Sequence, residues 1–204
     1  MNASGEVSAM AAAKAALRTE VRGRIRGIPG EKRVEAVARV GETLRGLESW
    51  IAARWVGGYV ALRDELDLSG LLRERLAVGG RVAVPAWDAE RGEYVFREIR
   101  DWDGDLVPGA FGVREPRPTC GVVDVTWLDF VLVPGIAFDT RGGRLGRGRG
   151  FYDRLLAPAI GVTCGVGMDE QLVPEVPMET HDTRLNLVVV PGGLFGPRAM
   201  EQRC

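Results

Sequence analysis

Apolar positions along this chain switch between two periods, and the switching predicts an α/β protein. Leu17, Val21 and Ile25 recur at i, i+4 and i+8, so a helix with one apolar stripe is expected from a cap at Ser8 to about Arg26. Gly27-Ile28-Pro29-Gly30 ends it, and residues 1–7 read as a loose tail. A second helix is expected over roughly Glu31 to Ser49, with Val34, Val37, Ala38, Leu44 and Leu47 toward the core. Trp55 to Ala61 reads as a strand whose glycines imply close backbone approach. Leu68 to Val78 is a third helix, stopped by Gly79-Gly80, and Arg81 to Pro85 is a short buried strand. Residues 87–98 predict a hairpin turning at Asp88–Gly92. Residues 101–119, rich in Pro, Gly, Asp and Trp, predict a long ordered loop, which in a compact domain usually serves a function or covers one. Phe130–Val133 is an apolar run closed by Pro134-Gly135, Phe151–Leu156 opens a helix stopped before Pro158, and Ile160–Gly167 and Leu185–Val190 read as strands.

Strands alternating with helices imply a mainly parallel sheet with helices on both faces, one three-layer α/β domain. Ligands of such sheets bind beyond the carboxyl ends of the strands. The loops after Ala61, Val133 and Gly167 meet that description, so Glu65, the loop after Val133 and Asp182 are expected to converge. The loop after Val133 is expected to join the sheet edge to the helix at Phe151.

Composition narrows the partners. A chain of 204 residues with 46% hydrophobic content supports one substantial core, hence a single domain over 1–204. A net charge of −1 gives no global field toward nucleic acid or membrane. Three widely spaced cysteines argue against a disulfide framework or a zinc site, and a single histidine, His181, excludes metal sites built from several imidazoles. A lone imidazole of this kind reads as a structural hydrogen-bonding group. A G-x-S-x-G nucleophile elbow is absent, residues 1–13 lack a basic leader, and apolar runs stay far below membrane-spanning length. The expectation is a cytoplasmic monomer acting on small molecules.

The chemistry concentrates in Asp139–Arg154, where Gly142, Gly143, Gly146, Gly148 and Gly150 interleave with Arg141, Arg144, Arg147 and Arg149. Glycines bring backbone N–H groups close to a ligand, successive N–H groups make an anion cradle, and arginines add paired donors suited to phosphate. The loop is not a Walker A, because Gly-Lys-Ser/Thr is missing. From residues alone three readings stand: a phosphate site, a surface hairpin tip, or an arginine-glycine segment that binds RNA. Lys14 and Arg18, four apart on the first helix, read by themselves as a solvated basic face. Asp64, Glu65 and Asp67 read as an acidic helix entry.

Arg144-Leu145-Gly146-Arg147-Gly148-Arg149-Gly150-Phe151-Tyr152-Asp153 resembles the signature of the 5-formyltetrahydrofolate cyclo-ligase family, also called methenyltetrahydrofolate synthetases. Weaker elements follow in the family's order: Lys14-Ala15-Ala16-Leu17-Arg18, Tyr59-Val60 leading to Glu65-Leu66-Asp67, the Gly112-x-x-Glu115-Pro116 piece after Phe111, Asp169-x-Gln171-Leu172-Val173, and Pro177-x-Glu179-x-His181-Asp182. The resemblance covers about Lys14 to Val190 and implies a fold like that of NagB, RpiA and the coenzyme A transferases. It implies ATP-dependent closure of 5-formyltetrahydrofolate to 5,10-methenyltetrahydrofolate with Mg²⁺, releasing ADP and phosphate through a phosphorylated formyl group.

By the same resemblance, Lys14, Arg18 and the run Arg144, Leu145, Gly146, Arg147, Gly148, Arg149, Gly150, Phe151 and Tyr152 would contact ATP. Val60 and Glu65, with Arg147 to Phe151, would contact the folate. Arg147, Arg149 and Tyr152 would carry catalysis, and Asp153 and Asp182 would hold magnesium. Phe151 reads almost equally well as packing at a helix start. Four departures stand out: Phe151 where Tyr is common, Arg149 where Lys or Gly is common, Ala86 where a basic residue is frequent, and Asn186 where Asp is frequent. The last two motivate a rival reading as a non-catalytic folate or nucleotide binder.

Overall fold

The first helix holds its predicted stripe. In a computed structural model, which describes residues 3–109, 112–180 and 182–202, α1 spans Ala3–Arg26 and buries Val21 and Ile25. Its backbone is helical from Ala3, so Ser8 is not its cap and residues 3–7 are not a loose tail. Lys14 is also buried, one turn ahead of Leu17 on the same stripe, which overturns its reading as a solvated cation. His181, Phe111 and Cys204 lie outside the described residues.

The second helical stretch is broken. α2 covers Gly30–Arg45, the chain turns at Gly46, and α3 covers Glu48–Ala52. The buried positions Ala36, Val40, Gly41 and Leu44 define the stripe, and Val37 packs beside it. Val34 is 71% exposed and Ala38 is exposed too, because both fall off the i, i+4, i+8 line through Ala36, Val40 and Leu44. β1 is only Trp55–Gly57, since the strand's last sheet contact is the Gly58 N–H donating to the Ala83 carbonyl at 2.8 Å. α4 is Ser69–Ala77, and Gly79 leaves it at φ 80°.

β2 runs unbroken from Arg81 to Asp88 and folds back as β3, Glu93–Ile99, so the expected short strand and hairpin are one longer ribbon. The expected loop over 101–119 contains a small antiparallel pair, β4 (Leu106–Pro108) with β5 (Arg114–Pro116). β6 (Val122–Val123) pairs with β3. β7 is Phe130–Val133, followed by the small pair β8 (Ala137–Phe138) and β9 (Arg144–Leu145), then α5 (Phe151–Leu156), β10 (Val162–Val166), β11 (Leu187–Val190) and β12 (Gly193–Phe195). β12 is an antiparallel edge strand that the sequence pattern did not suggest.

One sheet carries eight strands in the order β12-β11-β10-β7-β1-β2-β3-β6. Five of its six inner strands, β11, β10, β7, β1 and β2, are mutually parallel, and the sixth, β3, runs antiparallel to β2. β7 is therefore central and not at the edge, which explains why all four of its residues are buried. Alternation along the strands divides the core. Val56, Val82, Val84, Phe130, Leu132 and Leu187 meet α2, α3 and α4 on one face. Ala83, Val131, Val133, Val188 and Val190 meet Leu156 of α5 on the other. α1 packs outside this, with Val21 and Ile25 against Ile136, Ala137 and Leu145. The mainly parallel α/β architecture with helices on both faces is as expected.

The chain leaves β1 toward β2 on one side and returns to β7 on the other. That reversal of strand order opens a crevice at the carboxyl ends of β1 and β7, where open parallel sheets bind ligands.

Candidate active site

The crevice is a cleft of about 400 Å³. The segment after β1 supplies Tyr59, Val60 and Glu65; the segment after β7 supplies the Arg/Gly loop and the start of α5; β3 and β5 supply Tyr94 and Glu115. Two of the three loops expected to converge do so. The third does not: Asp182 pairs with Lys14, away from the cleft lining.

The Arg/Gly loop is built on Asp139, which is 1% exposed. Its Oδ1 accepts from the Arg141 and Gly143 N–H groups, both at 2.8 Å, and its Oδ2 accepts from Val176 at 2.9 Å. Three backbone donors on one carboxylate satisfy its buried oxygens and fix the loop's base. Gly142 beside it sits at φ 84°, and a Cβ there would lie 2.1 Å from the Leu185 carbonyl oxygen. At the far end of the loop Gly148 takes φ 98° and Gly150 φ 62°, turning the chain into α5.

The arginines of the loop divide by burial. Arg144 is 6% exposed. Its Nη2 donates to Asp153 Oδ1 at 2.7 Å and its Cζ lies 5.5 Å from the Tyr152 ring centroid. Its Nε is buried with no partner among the described residues. Arg144 is therefore a clamp between β9 and α5 as well as a cleft residue. Leu145 is a core side chain, 2% exposed, with its carbonyl bound by the Ile136 N–H. Arg147 reaches across the cleft, with Nη2 to Asp64 and with Nε and Nη2 to Glu65 Oε1 at 3.2 and 3.1 Å. Burial opposes its charge, but Asp64 and Glu65 outweigh that and hold its pKa above the ordinary value. Arg149 is exposed beside Phe151, its Cζ 6.0 Å from the ring.

Glu65 is the opposing wall. Its Oε2 accepts from the Leu62 N–H at 2.9 Å, and burial pushes its pKa up despite that bond and the Arg147 charge. Tyr152 lies nearby, its phenol raised in pKa by burial and by the Glu65 charge. Val60 lines the same wall. Phe151 packs at the start of α5, as one of its two readings had it. It lines the cleft and packs against Tyr94 at 4.9 Å and Trp87 at 5.9 Å between ring centroids.

The first helix reaches the loop from outside. Arg18 Nε donates to the Gly146 carbonyl at 2.8 Å, and a Cβ on Gly148 would lie 3.4 Å from Arg18 Cζ. Lys14 Nζ donates to Glu179 Oε2 at 2.7 Å and Asp182 Oδ2 at 2.5 Å. Burial works against the Lys14 charge, but these two carboxylates prevail and its pKa is raised.

Asp153 lines the cleft beside Tyr152. Asp153 and Asp182 are not joined in a cluster: among the described residues there is no group of three or more His, Cys, Asp or Glu placed to hold a metal.

Glu115 is a site residue whose place the sequence did not reveal. It is 7% exposed, with Oε2 accepting from the Trp87 N–H at 2.9 Å and Oε1 from the Tyr94 hydroxyl at 3.4 Å. Its Gly-x-x-Glu-Pro setting was the only signal. Gln171, 1% exposed, was also missed; its amide ties Met168 to Gly135 and Ile136 under the loop. The departures at Ala86 and Asn186 fall outside the cleft lining. Ala86 is 2% exposed on β2, and Asn186 Oδ1 accepts from the Thr163 N–H at 2.8 Å, tying β11 to β10.

A family model described as the 5-formyltetrahydrofolate cyclo-ligase family matches residues 10–191. The chain belongs to that family. It is 36% identical over 188 residues to a 5-formyltetrahydrofolate cyclo-ligase of Mycolicibacterium smegmatis, covering 87% of this chain and 93% of the relative. A 5-formyltetrahydrofolate cyclo-ligase of Escherichia coli is 29% identical, with 86% and 98% covered. The NMR structure of the Aquifex aeolicus 5,10-methenyltetrahydrofolate synthetase matches the fold with TM-score 0.79 and 31% identity, over 91% of this chain and 93% of that one. The family's cyclo-ligases are ligases of folate one-carbon metabolism, and the Arg/Gly loop and Glu65 that carried the resemblance line one cleft. Among the described residues, no helix is long and apolar enough to cross a membrane.

Proposed function

We propose that the protein is a monomeric, cytoplasmic enzyme that closes 5-formyltetrahydrofolate to 5,10-methenyltetrahydrofolate with ATP, releasing ADP and phosphate. The observation that carries this reading is the cleft itself, in which a glycine-turned arginine loop faces a buried carboxylate across the switch point of a parallel sheet. The loop suits phosphate oxygens, and Glu65 suits a ring with N–H donors.

An amide-like formyl oxygen is a poor leaving group. Transfer of the γ-phosphoryl group to that oxygen gives an iminium phosphate. N10 then attacks the formyl carbon, and the carbon–oxygen bond breaks as phosphate leaves. Phosphoryl transfer demands alignment and charge neutralisation more than covalent help from the protein. Arg147 and Arg149, on the exposed side of the loop, neutralise the transferring group. Lys14 and Arg18 bring positive charge from α1 to the nucleotide. Phe151 and the Tyr94–Trp87 pair give apolar walls that limit water.

The donor set suits magnesium. Asp153 gives one oxygen to Arg144, and its second has no protein partner among the described residues. Mg²⁺ is commonly held by one or two carboxylates together with substrate phosphates. Asp153 would help to hold the ion, which would supply positive charge to offset that of the phosphates. Asp182, now bound by Lys14 and by the Glu179 N–H, is the second carboxylate of the reading.

Mixing the protein with ATP, Mg²⁺ and 5-formyltetrahydrofolate should produce the near-ultraviolet absorbance of the methenyl product. Binding of both substrates with no absorbance change would instead establish a non-catalytic binder.

A further inference from the structure

A second cavity, of about 540 Å³, opens beside the cleft and is lined by Arg22, Arg26, Arg33, Arg63 and Asp64 over Ile25. Four guanidinium groups around one hollow repel each other unless something neutralises them. The chain does not. Arg22, Arg26 and Arg63 make no ion pair with a carboxylate of the described residues. Arg33 spends Nη2 on the Ile25 carbonyl at 2.8 Å, and its Nη1 is buried with no partner among the described residues. The lining carboxylate, Asp64, is already engaged by Arg147. Nearby arginines with no cavity are treated differently: Arg24 pairs with Glu20, Arg39 with Glu35 and Arg45 with Glu74.

The hollow is also placed to communicate with the cleft. Arg18, Arg22 and Arg26 follow at i, i+4 and i+8 on α1, steps of about 6 Å. Arg18 touches the Arg/Gly loop at Gly146, and Arg22 and Arg26 line the second cavity. Asp64 and Glu65, neighbours in the chain, stand one in each cavity wall. Burial and then the Arg22 charge lower the Arg18 pKa, with Asp182 opposing them.

We propose that this arginine-lined cavity is a second anion site, taking a multiply charged oxyanion. Free phosphate-type anions and a run of carboxylates present the same chemistry. The carboxylates would come from γ-linked glutamates trailing from a ligand in the adjoining cleft, and that source alone rests on the function proposed above.

Calorimetric titration of the full chain with inorganic tripolyphosphate and, separately, with a tri-γ-glutamate peptide tests the site without turnover. At least one should bind at low salt and weaken as salt rises. Arg22→Gln with Arg63→Gln should lower that affinity roughly tenfold or more. Restoring charge with Arg22→Lys and Arg63→Lys should recover part of it. Arg149→Gln should leave it in place. Preference for the peptide identifies the carboxylate source, and preference for tripolyphosphate the phosphate source. The proposal fails if neither anion binds, if the double Gln variant binds as tightly as the native chain, or if Arg149→Gln removes the binding. If the double Gln variant does not fold, the single variant Arg63→Gln decides: an affinity lowered several-fold supports the site, and native affinity overturns it. Methenyl product formation in the double Gln variant, measured with a substrate bearing one glutamate, should equal the native rate, which separates failure of this site from failure of the proposed activity.

Discussion

Asp153 holds two obligations. It is the partner of Arg144, whose side chain is only 3% exposed, and it is the carboxylate proposed for magnesium. Asp153→Asn keeps an acceptor for Arg144 but removes the charge. The variant should lose about 1–3 kcal/mol of stability through the weakened charge-assisted bond. Turnover should fall by orders of magnitude and the Mg²⁺ concentration for half-maximal rate should rise. A near-normal rate with unchanged Mg²⁺ dependence would leave Asp153 a clamp for Arg144 and nothing more. Glu65 makes the opposite prediction for stability. Its folded pKa lies above the ordinary carboxyl value because burial disfavours the charge. The folded state therefore holds its proton more tightly than the unfolded one. The contribution to stability is full below the ordinary value and is lost as pH rises through the raised value. Glu65→Gln should consequently melt as high as, or higher than, the native chain at neutral pH, with the gap closing in acid, while the KM for folate rises. A melting temperature that falls at neutral pH and not in acid contradicts this sign.

At the scale of elements, the loop from Gly142 to Gly150 was legible because it is local. Its glycines and arginines are neighbours in sequence, and two of the glycines must turn the chain into α5 at positive φ. Gly148→Ala adds a Cβ at φ 98° and within 3.4 Å of Arg18 Cζ. The cost should be about 1 kcal/mol or somewhat more in stability. ATP affinity should drop by more than the folate affinity, as read by separate titrations; equal losses would mean that the loop serves the site only as a hinge. Other elements were less legible, for reasons of distance. Lys14 was read as solvated because its partners, Glu179 and Asp182, are 165 and 168 residues away. Arg147 and Glu65 are 82 residues apart, so neither sequence neighbourhood announces the bridge. Val34 and Ala38 were assigned to the core since apolar type alone did not set the phase of α2. The break at Gly46 and the added edge strand β12 depend on tertiary packing, which outweighs local propensity.

At the scale of the molecule, α1 is the element that joins the nucleotide chemistry to stability. It packs outside the sheet through Val21 and Ile25, and it carries Lys14 and Arg18 to opposite neighbours of the same loop region. Lys14 holds Glu179 and Asp182; nucleotide phosphates would draw it toward the loop. ATP with Mg²⁺ should therefore raise the melting temperature, since a ligand at a hundred times its Kd adds about 2.7 kcal/mol. Hydrogen exchange should slow in two places together, α1 around Lys14–Arg18 and the backbone of Gly146–Gly150. Lys14→Gln removes the moving charge and the two ion pairs it makes with Glu179 and Asp182. It should lower the melting temperature without ligand and also shrink the rise that ATP produces. The second effect decides the matter, because a purely structural Lys14 would lower the baseline and leave the ATP-induced rise, and the protection of Gly146–Gly150, at their native size.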